Sequence, residues 1–140
     1  MLSKRNKIIV ASIGVVVLLA AAALFIFGGW ERTVVGNYRL QQWEDFETYY
    51  LNKKGQEDSG GGVIDGIVIR IGWSDHYIIV ERHANYHGDP NGWMVIDVNS
   101  DKITGPFTET EIRARPELKD IPTYQAAEAW KKLSFSPFRK

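Results

Sequence analysis

The chain divides into one long apolar segment near its N-terminus and a longer region of short alternating runs. Residues 8–27 contain no charged side chain, and a helix of that length would extend about 30 Å, the thickness of the hydrocarbon core of a bilayer. The segment is apolar on all sides, whereas a helix buried in a soluble protein usually keeps a polar stripe. The pattern predicts a basic tail over 1–7, a transmembrane helix over 8–29 and a folded domain over 30–140.

Charged residues on the two sides of the apolar segment predict its orientation. On the C-terminal side Arg32 stands beside Glu31. The tail on the N-terminal side carries three basic residues: Lys4, Arg5 and Lys7. By the positive-inside tendency the N-terminus lies in the cytoplasm and the domain outside it. The sequence therefore predicts a single-pass protein of the cytoplasmic (inner) membrane, in contact with lipid through residues 8–29.

A cleaved signal peptide is the alternative interpretation of the same segment. Small residues over Ala20–Ala23 follow a basic start and offer a cleavage site. However, the apolar run is longer than the usual core of such peptides, and cleavage there would leave the apolar residues 24–27 on the mature terminus. Both interpretations place the domain outside the cytoplasm.

After residue 30 the pattern changes to short alternating runs separated by Gly, Asn, Asp and Pro, which is typical of a small sheet. The runs cover residues 34–43, 46–51, 67–71, 77–81 and 93–98. Within the third run, Ile67, Ile69 and Ile71 are predicted to share one face. Turn signals separate the later runs, so we predict an antiparallel meander of five or six strands.

Helix signals follow the predicted sheet. A Gly-Pro step at 105–106 is predicted to end the sheet, and Thr108 followed by Glu111 fits a capping box that opens a short helix. Thr123 is predicted to cap a second helix over 124–133, which is rich in alanine. The predicted fold class is α+β, with an N-terminal transmembrane helix, a small antiparallel sheet and two short C-terminal helices.

Several short motifs of this region together resemble a family. The motifs are IGWSDHYIIV at 71–80, Val95-Ile96-Asp97, Gly105-Pro106 and Glu109–Glu111. They resemble a family of small, uncharacterised bacterial envelope domains, over residues 63–118. The resemblance implies the fold and an envelope address, and it assigns no catalytic residue. Members commonly look like lipoproteins tethered through a cysteine, which this chain lacks, so the resemblance implies that the apolar segment provides the tether.

Composition excludes several classes of function. The chain has 17 basic and 17 acidic residues, but every acidic residue lies after residue 30, so the domain itself is slightly acidic. A domain of this charge lacks the basic surface that nucleic-acid binding requires. Without cysteine there is no disulfide, thiol nucleophile or thiolate zinc site. We therefore predict no nucleic-acid partner, metal or cofactor.

Histidines near carboxylates are residue types that could bind a metal or catalyse hydrolysis. They are His76, His83 and His87, with Asp75 and Asp89 nearby in the sequence. The spacing of four residues between His83 and His87 would bring them together on a helix. Because the surrounding residues predict a loop, we interpret the histidines as solvated side chains. A small envelope hydrolase that uses these histidines and carboxylates remains the alternative function.

A second motif imitates a calcium-binding loop. Asp97, Asn99 and Asp101 occupy the spacing of its first three ligands. Lys102 stands where the loop needs glycine, and Thr108 stands where it needs glutamate. The sequence therefore predicts a turn between two strands at this place.

Aromatic residues are the least ordinary feature of the domain, and the predicted binding residues come mainly from them. Tyr49 and Tyr50 are adjacent in a predicted strand and point to opposite faces, so one of them is expected to be exposed. Exposed aromatic residues are enriched at protein interfaces. The predicted binding residues are Tyr49, Tyr50, Trp73, Asp75, Tyr86 and Trp93. We interpret the protein as a non-catalytic, protein-binding domain of the bacterial envelope, either an immunity-type protein or a subunit of an envelope complex.

Overall fold

A computed structural model describes residues 3–28, 30–56, 60–85 and 88–133 of the chain. The chain divides into two compact units, Met1–Trp30 and Glu31–Lys140. Within these described residues, the first unit holds one long helix, and the second contains two antiparallel sheets, two short α-helices and a 3-10 helix at Gly62–Ile64. The α+β class is confirmed, and the described part of the chain has eight strands in place of the five or six predicted.

The first unit contains helix α1, Lys4–Gly28. Its stretch Lys4–Ala23 has a mean hydropathy of 2.1, and every side chain in this stretch is exposed. The hydroxyl of Ser12 donates a hydrogen bond to the Ile8 carbonyl at 2.9 Å, so the polar group is satisfied within the helix. The helix is long and apolar enough to cross a membrane, and it is compatible with either a membrane anchor or a signal sequence.

The first three strands form a sheet of their own. They are β1 (Glu31–Val35), β2 (Tyr38–Gln42) and β3 (Tyr49–Lys53), in the order β1-β2-β3. The single strand predicted over 34–43 is wrong, because a two-residue turn at Gly36-Asn37 divides it into a hairpin. Gly36 has a φ of +56°, a conformation that glycine adopts without strain and that such tight hairpin turns require.

The remaining strands form a second, five-stranded sheet. They are β4 (Gly66–Trp73), β5 (Tyr77–Ala84), β6 (Gly92–Asp97), β7 (Lys102–Phe107) and β8 (Thr123–Gln125), in the order β7-β6-β5-β4-β8. Neighbouring strands are antiparallel throughout. Strands β4 to β7 are the predicted meander.

An irregularity in β4 changes which side chains are buried. The register between β4 and β5 shifts between Val68 and Arg70. Because an inserted residue reverses the alternation of faces, Val68 and Ile71 are both buried while Ile69 is 40% exposed. The predicted face of Ile67, Ile69 and Ile71 is therefore wrong.

The Gly105-Pro106 step lies inside β7, so the prediction that it ends the sheet is also wrong. Strand β7 is the edge of the five-stranded sheet. An edge strand tolerates proline, because the missing N–H can face away from the neighbouring strand.

Two short helices complete the domain, α2 (Glu109–Arg113) and α3 (Ala126–Lys132). The predicted capping box of α2 is confirmed: the Thr108 hydroxyl accepts from the Glu111 N–H at 3.2 Å, and the Glu111 carboxylate accepts from the Thr108 N–H at 2.7 Å. The predicted helix over 124–133 begins later than expected, because Thr123–Gln125 pairs with β4 as strand β8. Thr123 therefore does not cap α3.

The larger core lies between the two sheets and includes the inner side of α3. Its buried residues include Leu40, Leu51, Ile64, Ile71, Ile78, Val80, Ile96, Ala129 and Trp130. Arg32 joins β1 to the C-terminal end of α3, where its guanidinium donates to the carbonyls of Trp130 and Leu133. A cation that binds the last carbonyls of a helix satisfies them and complements the helix dipole.

The smaller core covers the opposite face of the five-stranded sheet. Its buried residues are Ile79, Trp93, Val95, Ile112, Leu118 and Ile121. Helix α2 and the segment after it provide three of these six side chains. The five-stranded sheet is therefore buried on both faces, which explains the continuous apolar run at Ile78–Val80 in β5.

Candidate functional site

Among the described residues of the second unit, the most exposed aromatic side chains lie in the loop between β2 and β3, residues 43–48. Trp43 is 49% exposed and Phe46 is 63% exposed. Tyr50, on β3, is half-buried, and its ring meets the Trp43 ring edge to face, with a centroid distance of 5.8 Å and an interplanar angle of 82°. We call Trp43, Phe46 and Tyr50 the aromatic patch.

Backbone hydrogen bonds close this loop. The Trp43 N–H donates to the Thr48 carbonyl at 2.8 Å, and the Phe46 N–H donates to the Trp43 carbonyl at 3.0 Å. The Gln42 side-chain amide donates to the Phe46 carbonyl at 3.1 Å. Phe46 has a φ of +60°, which is unfavourable for a residue with a side chain. The hydrogen bonds on both sides of Phe46 hold it in this conformation.

The carboxylate of Asp45 organises the same loop from within. It accepts hydrogen bonds from the N–H groups of Glu47 at 2.9 Å and Thr48 at 2.8 Å, and from the Thr48 hydroxyl at 2.5 Å. These bonds, above all the one from the Thr48 hydroxyl, hold the pKa of Asp45 below its usual value. The loop is therefore a defined turn that presents its aromatic rings to solvent.

The loop that carries Trp43 and Phe46 is acidic. Three acidic residues, Glu44, Asp45 and Glu47, lie in the loop, and the segment 41–50 contains no basic residue. Glu44 and Glu47 are exposed, while Asp45 is engaged with the loop backbone. The surface therefore combines large rings with carboxylates.

The structure separates the predicted binding residues into buried and exposed groups. Tyr49 is 4% exposed and Trp93 is 3% exposed, so these two predicted binding residues lie in the core, and the half-buried Tyr50 is the outward member of the tyrosine pair. The Tyr49 ring lies 5.9 Å from the Trp130 ring in the larger core, and Trp93 lies in the smaller core under the Arg70 guanidinium at 4.9 Å.

The other predicted binding residues remain at the surface where the structure describes them. Tyr50 and Trp73 are half-buried, and Asp75 is exposed. The Trp73 ring lies 5.7 Å from the Tyr124 ring. Tyr86 lies outside the described residues. Only Tyr50 of this set belongs to the aromatic patch.

The sequence analysis did not identify Trp43 and Phe46 as surface residues. It placed Trp43 at the end of one predicted strand and Phe46 at the start of the next. A usable signal was the Asp45-x-x-Thr48 spacing, in which an aspartate accepts from nearby N–H groups and so favours a turn. With that turn recognised, the aromatic residues beside it would be expected at the surface.

A cluster around Arg70 has a structural explanation. Its guanidinium forms ion pairs with Glu81 at 2.6 Å and Glu109 at 2.9 Å and covers the Trp93 ring. The hydrogen bond from Arg70 lowers the pKa of Glu109. These contacts connect β4, β5, β6 and the start of α2. The cluster therefore holds α2 against the face of the sheet that contains the smaller core.

A second polar cluster connects the two sheets. The Tyr38 hydroxyl donates to the Asp101 carboxylate at 2.8 Å, and Lys53 pairs with the same carboxylate at 2.9 Å. Burial raises the pKa of Tyr38, and the hydrogen bonds, first from Lys53 and then from Tyr38, lower the pKa of Asp101. Asp101 thus belongs to an inter-sheet contact rather than to a calcium loop.

The histidines have no common site among the residues that the structure describes. His76 is exposed and contacts the Asn99 amide at 3.2 Å, and His83 is exposed on β5. His87 lies outside the described residues. Within the described ranges no group of three or more His, Asp or Glu side chains is placed to hold a metal ion.

Comparison with known proteins assigns the chain to a family. A family model described as protein of unknown function DUF3997 matches residues 35–125, which include all the residues of the resemblance noted above. No curated protein and no solved structure matches the chain. Because the family model covers more than half of the chain, the protein belongs to the family of unknown function DUF3997.

Proposed function

We propose that this protein is a single-pass, membrane-anchored domain that binds another protein outside the cytoplasm and has no catalytic activity. The observation that carries the proposal is the aromatic patch, whose rings are presented to solvent by a loop held by hydrogen bonds. Monomeric proteins rarely expose large apolar rings together, and such groups are typical of protein interfaces. An immunity-type protein or a subunit of an envelope complex would use such a surface.

The proposed anchor is helix α1. Its apolar stretch is as long as a hydrocarbon core is thick, and basic residues precede it. The positive-inside tendency supports a cytoplasmic N-terminus and an external domain.

The absence of cysteine makes the address directly testable. Single-cysteine variants Asn6→Cys and Lys119→Cys would be treated in intact spheroplasts with a membrane-impermeant maleimide. We expect labelling at position 119 before lysis and at position 6 only after lysis, because the two positions lie on opposite sides of the membrane. Labelling of position 119 only after lysis would refute the external address. The intact mass of the purified protein distinguishes an anchor from a cleaved signal peptide.

Protein binding is tested by site-specific photo-crosslinking in intact membranes. A photoreactive amino acid would replace Phe46 in one variant and Glu117 in a control variant. Glu117 is exposed and follows α2, on the side of the five-stranded sheet away from the three-stranded sheet. We expect one discrete protein adduct from position 46 and none from position 117. Equal adducts at both positions, or none at position 46, would contradict the proposal.

A further inference from the structure

We infer that the aromatic patch receives a cationic side chain, arginine or lysine, from a basic segment of the partner protein. The inference rests on the proposed function and adds the chemistry of the partner. Its first support is the composition of the site, in which large rings stand beside exposed carboxylates at Glu44 and Glu47. A cation is attracted both by the face of an aromatic ring and by a nearby carboxylate.

The second support is that four other aromatic rings of the domain are paired with basic side chains. Four rings each have a basic side chain of this chain over one face, at 4.1 to 4.9 Å from the ring centroid. These pairs are Arg32 with Trp130, Arg70 with Trp93, Arg115 with Phe107 and Lys132 with Tyr124. Within the described ranges no basic side chain lies over Trp43 or Tyr50, which contact each other instead. Trp43 and Tyr50 are therefore the rings of the patch over which a cation from outside can bind.

The third support is the geometry of the ring pair. In an edge-to-face arrangement the edge of one ring covers one face of the other, so the pair does not stack face to face. Trp43 is half exposed, and indole is the aromatic ring that binds cations most strongly. The loop is already ordered by Asp45, so little conformational entropy is lost when a ligand binds.

Charge favours a basic protein segment over a lipid surface as the occupant. Anionic headgroups would repel Glu44 and Glu47, whereas Trp43 and Phe46 alone would suit the membrane interface. The acidic residues therefore favour a cationic protein segment as the partner. The experiments below distinguish binding of such a segment from contact with lipid.

The test uses the full chain in detergent micelles and a fluorescein-labelled peptide of alternating glycine and arginine. The matched peptide contains citrulline, which has the shape of arginine without its charge. Anisotropy titrations give the affinity of each. We expect the arginine peptide to bind at least ten-fold more tightly than the citrulline peptide. Its affinity should fall with added salt, because exposed charges are screened.

Substitutions in the aromatic patch distinguish a site that binds a cation from a site that binds any apolar group. We expect Trp43→Phe to weaken the arginine peptide slightly and Trp43→Leu to weaken it roughly five- to thirty-fold, since leucine keeps apolar area but has no ring face. Glu47→Gln should weaken binding and reduce its salt dependence, while Glu117→Gln should leave both unchanged. Thermal unfolding of each variant verifies that the domain is folded. Equal binding by wild type and Trp43→Leu would overturn the inference.

Three further outcomes are decisive. If lipids brominated near the headgroup quench wild-type tryptophan emission more than that of Trp43→Phe, Trp43 contacts lipid and the inference is wrong. If the crosslink from position 46 captures a protein but the arginine peptide does not bind, the cationic inference fails and the proposed protein binding stands. If the crosslink also fails, both are refuted.

Discussion

The adjacent tyrosines of β3 provide a sharp test of which side chains hold the domain together. Tyr49 is 4% exposed, packs against Trp130 and has a hydroxyl that accepts from the Gln42 amide at 3.0 Å. Tyr50 is half-buried on the other face of the same strand. The same substitution, Tyr→Ala, at these two positions should therefore have very different effects.

The magnitude follows from the area that each ring buries. A fully buried aromatic side chain removes about 150–200 Å² from water, which at about 25 cal/mol per Å² corresponds to about 4–5 kcal/mol. Truncation of buried aromatic residues costs about 3–5 kcal/mol, and we expect Tyr49→Ala to lie in this range. Tyr50→Ala should cost clearly less, about 1 kcal/mol, because its ring remains partly exposed to solvent. Tyr49→Phe, which removes only the hydroxyl, should cost about 1 kcal/mol.

The assay is urea unfolding of the full chain in mild detergent, followed by near-ultraviolet circular dichroism. This signal reports the packing of aromatic rings in the second unit. The difference between Tyr49→Ala and Tyr50→Ala should be at least about 2 kcal/mol. Equal costs, or a larger cost at Tyr50, would show that the burial assigned to β3 is wrong and would remove Tyr50 from the aromatic patch.

Three further outcomes are expected. Thr108→Ala removes the hydroxyl of the capping box and should cost about 1 kcal/mol in the same unfolding assay, whereas an unchanged midpoint would contradict that hydrogen bond. Because the pKa of Glu109 is lowered on folding, its contribution is present at neutral pH and is lost as the pH falls through 4.5 and below. Glu109→Gln should therefore make unfolding midpoints measured between pH 7 and pH 3 less dependent on pH. Gly72→Ala would place a methyl group against the Pro122 carbonyl and should lower the melting temperature, while Gly60→Ala, with open space around it, should not.

The sequence predicted those elements whose signal lies within one short segment. The capping box at Thr108 and Glu111 depends only on residues three apart, and the structure has it as predicted. The predicted alternation of buried and exposed faces in β4 is wrong, because the register shift after Val68 depends on pairing with β5. Strand β8 was also missed, since three residues acquire strand geometry only by pairing with the edge of β4.

At the candidate site, too, local features could be predicted from the sequence and features that depend on distant residues could not. The adjacency of two tyrosines indicated that one of them faces outward, but it is the larger core, with Trp130 of α3 against the ring, that buries Tyr49. No periodicity in the sequence shows that an arginine on β4 covers the Trp93 ring on β6. Burial of a ring depends on neighbours that are distant along the chain, so the sequence supplied the aromatic candidates and could not sort them.

The sequence by itself determined the long apolar helix, the α+β class and the slightly acidic, cysteine-free character of the domain. Length, hydropathy and composition are properties of the chain before it folds, so these conclusions need no tertiary contact. Only the tertiary structure decided that there are two sheets and which rings are buried between them. It also placed Trp43 and Phe46 at the surface beside Tyr50. Strand pairing and packing join residues far apart in the sequence, and no local pattern fixes which partner each residue meets.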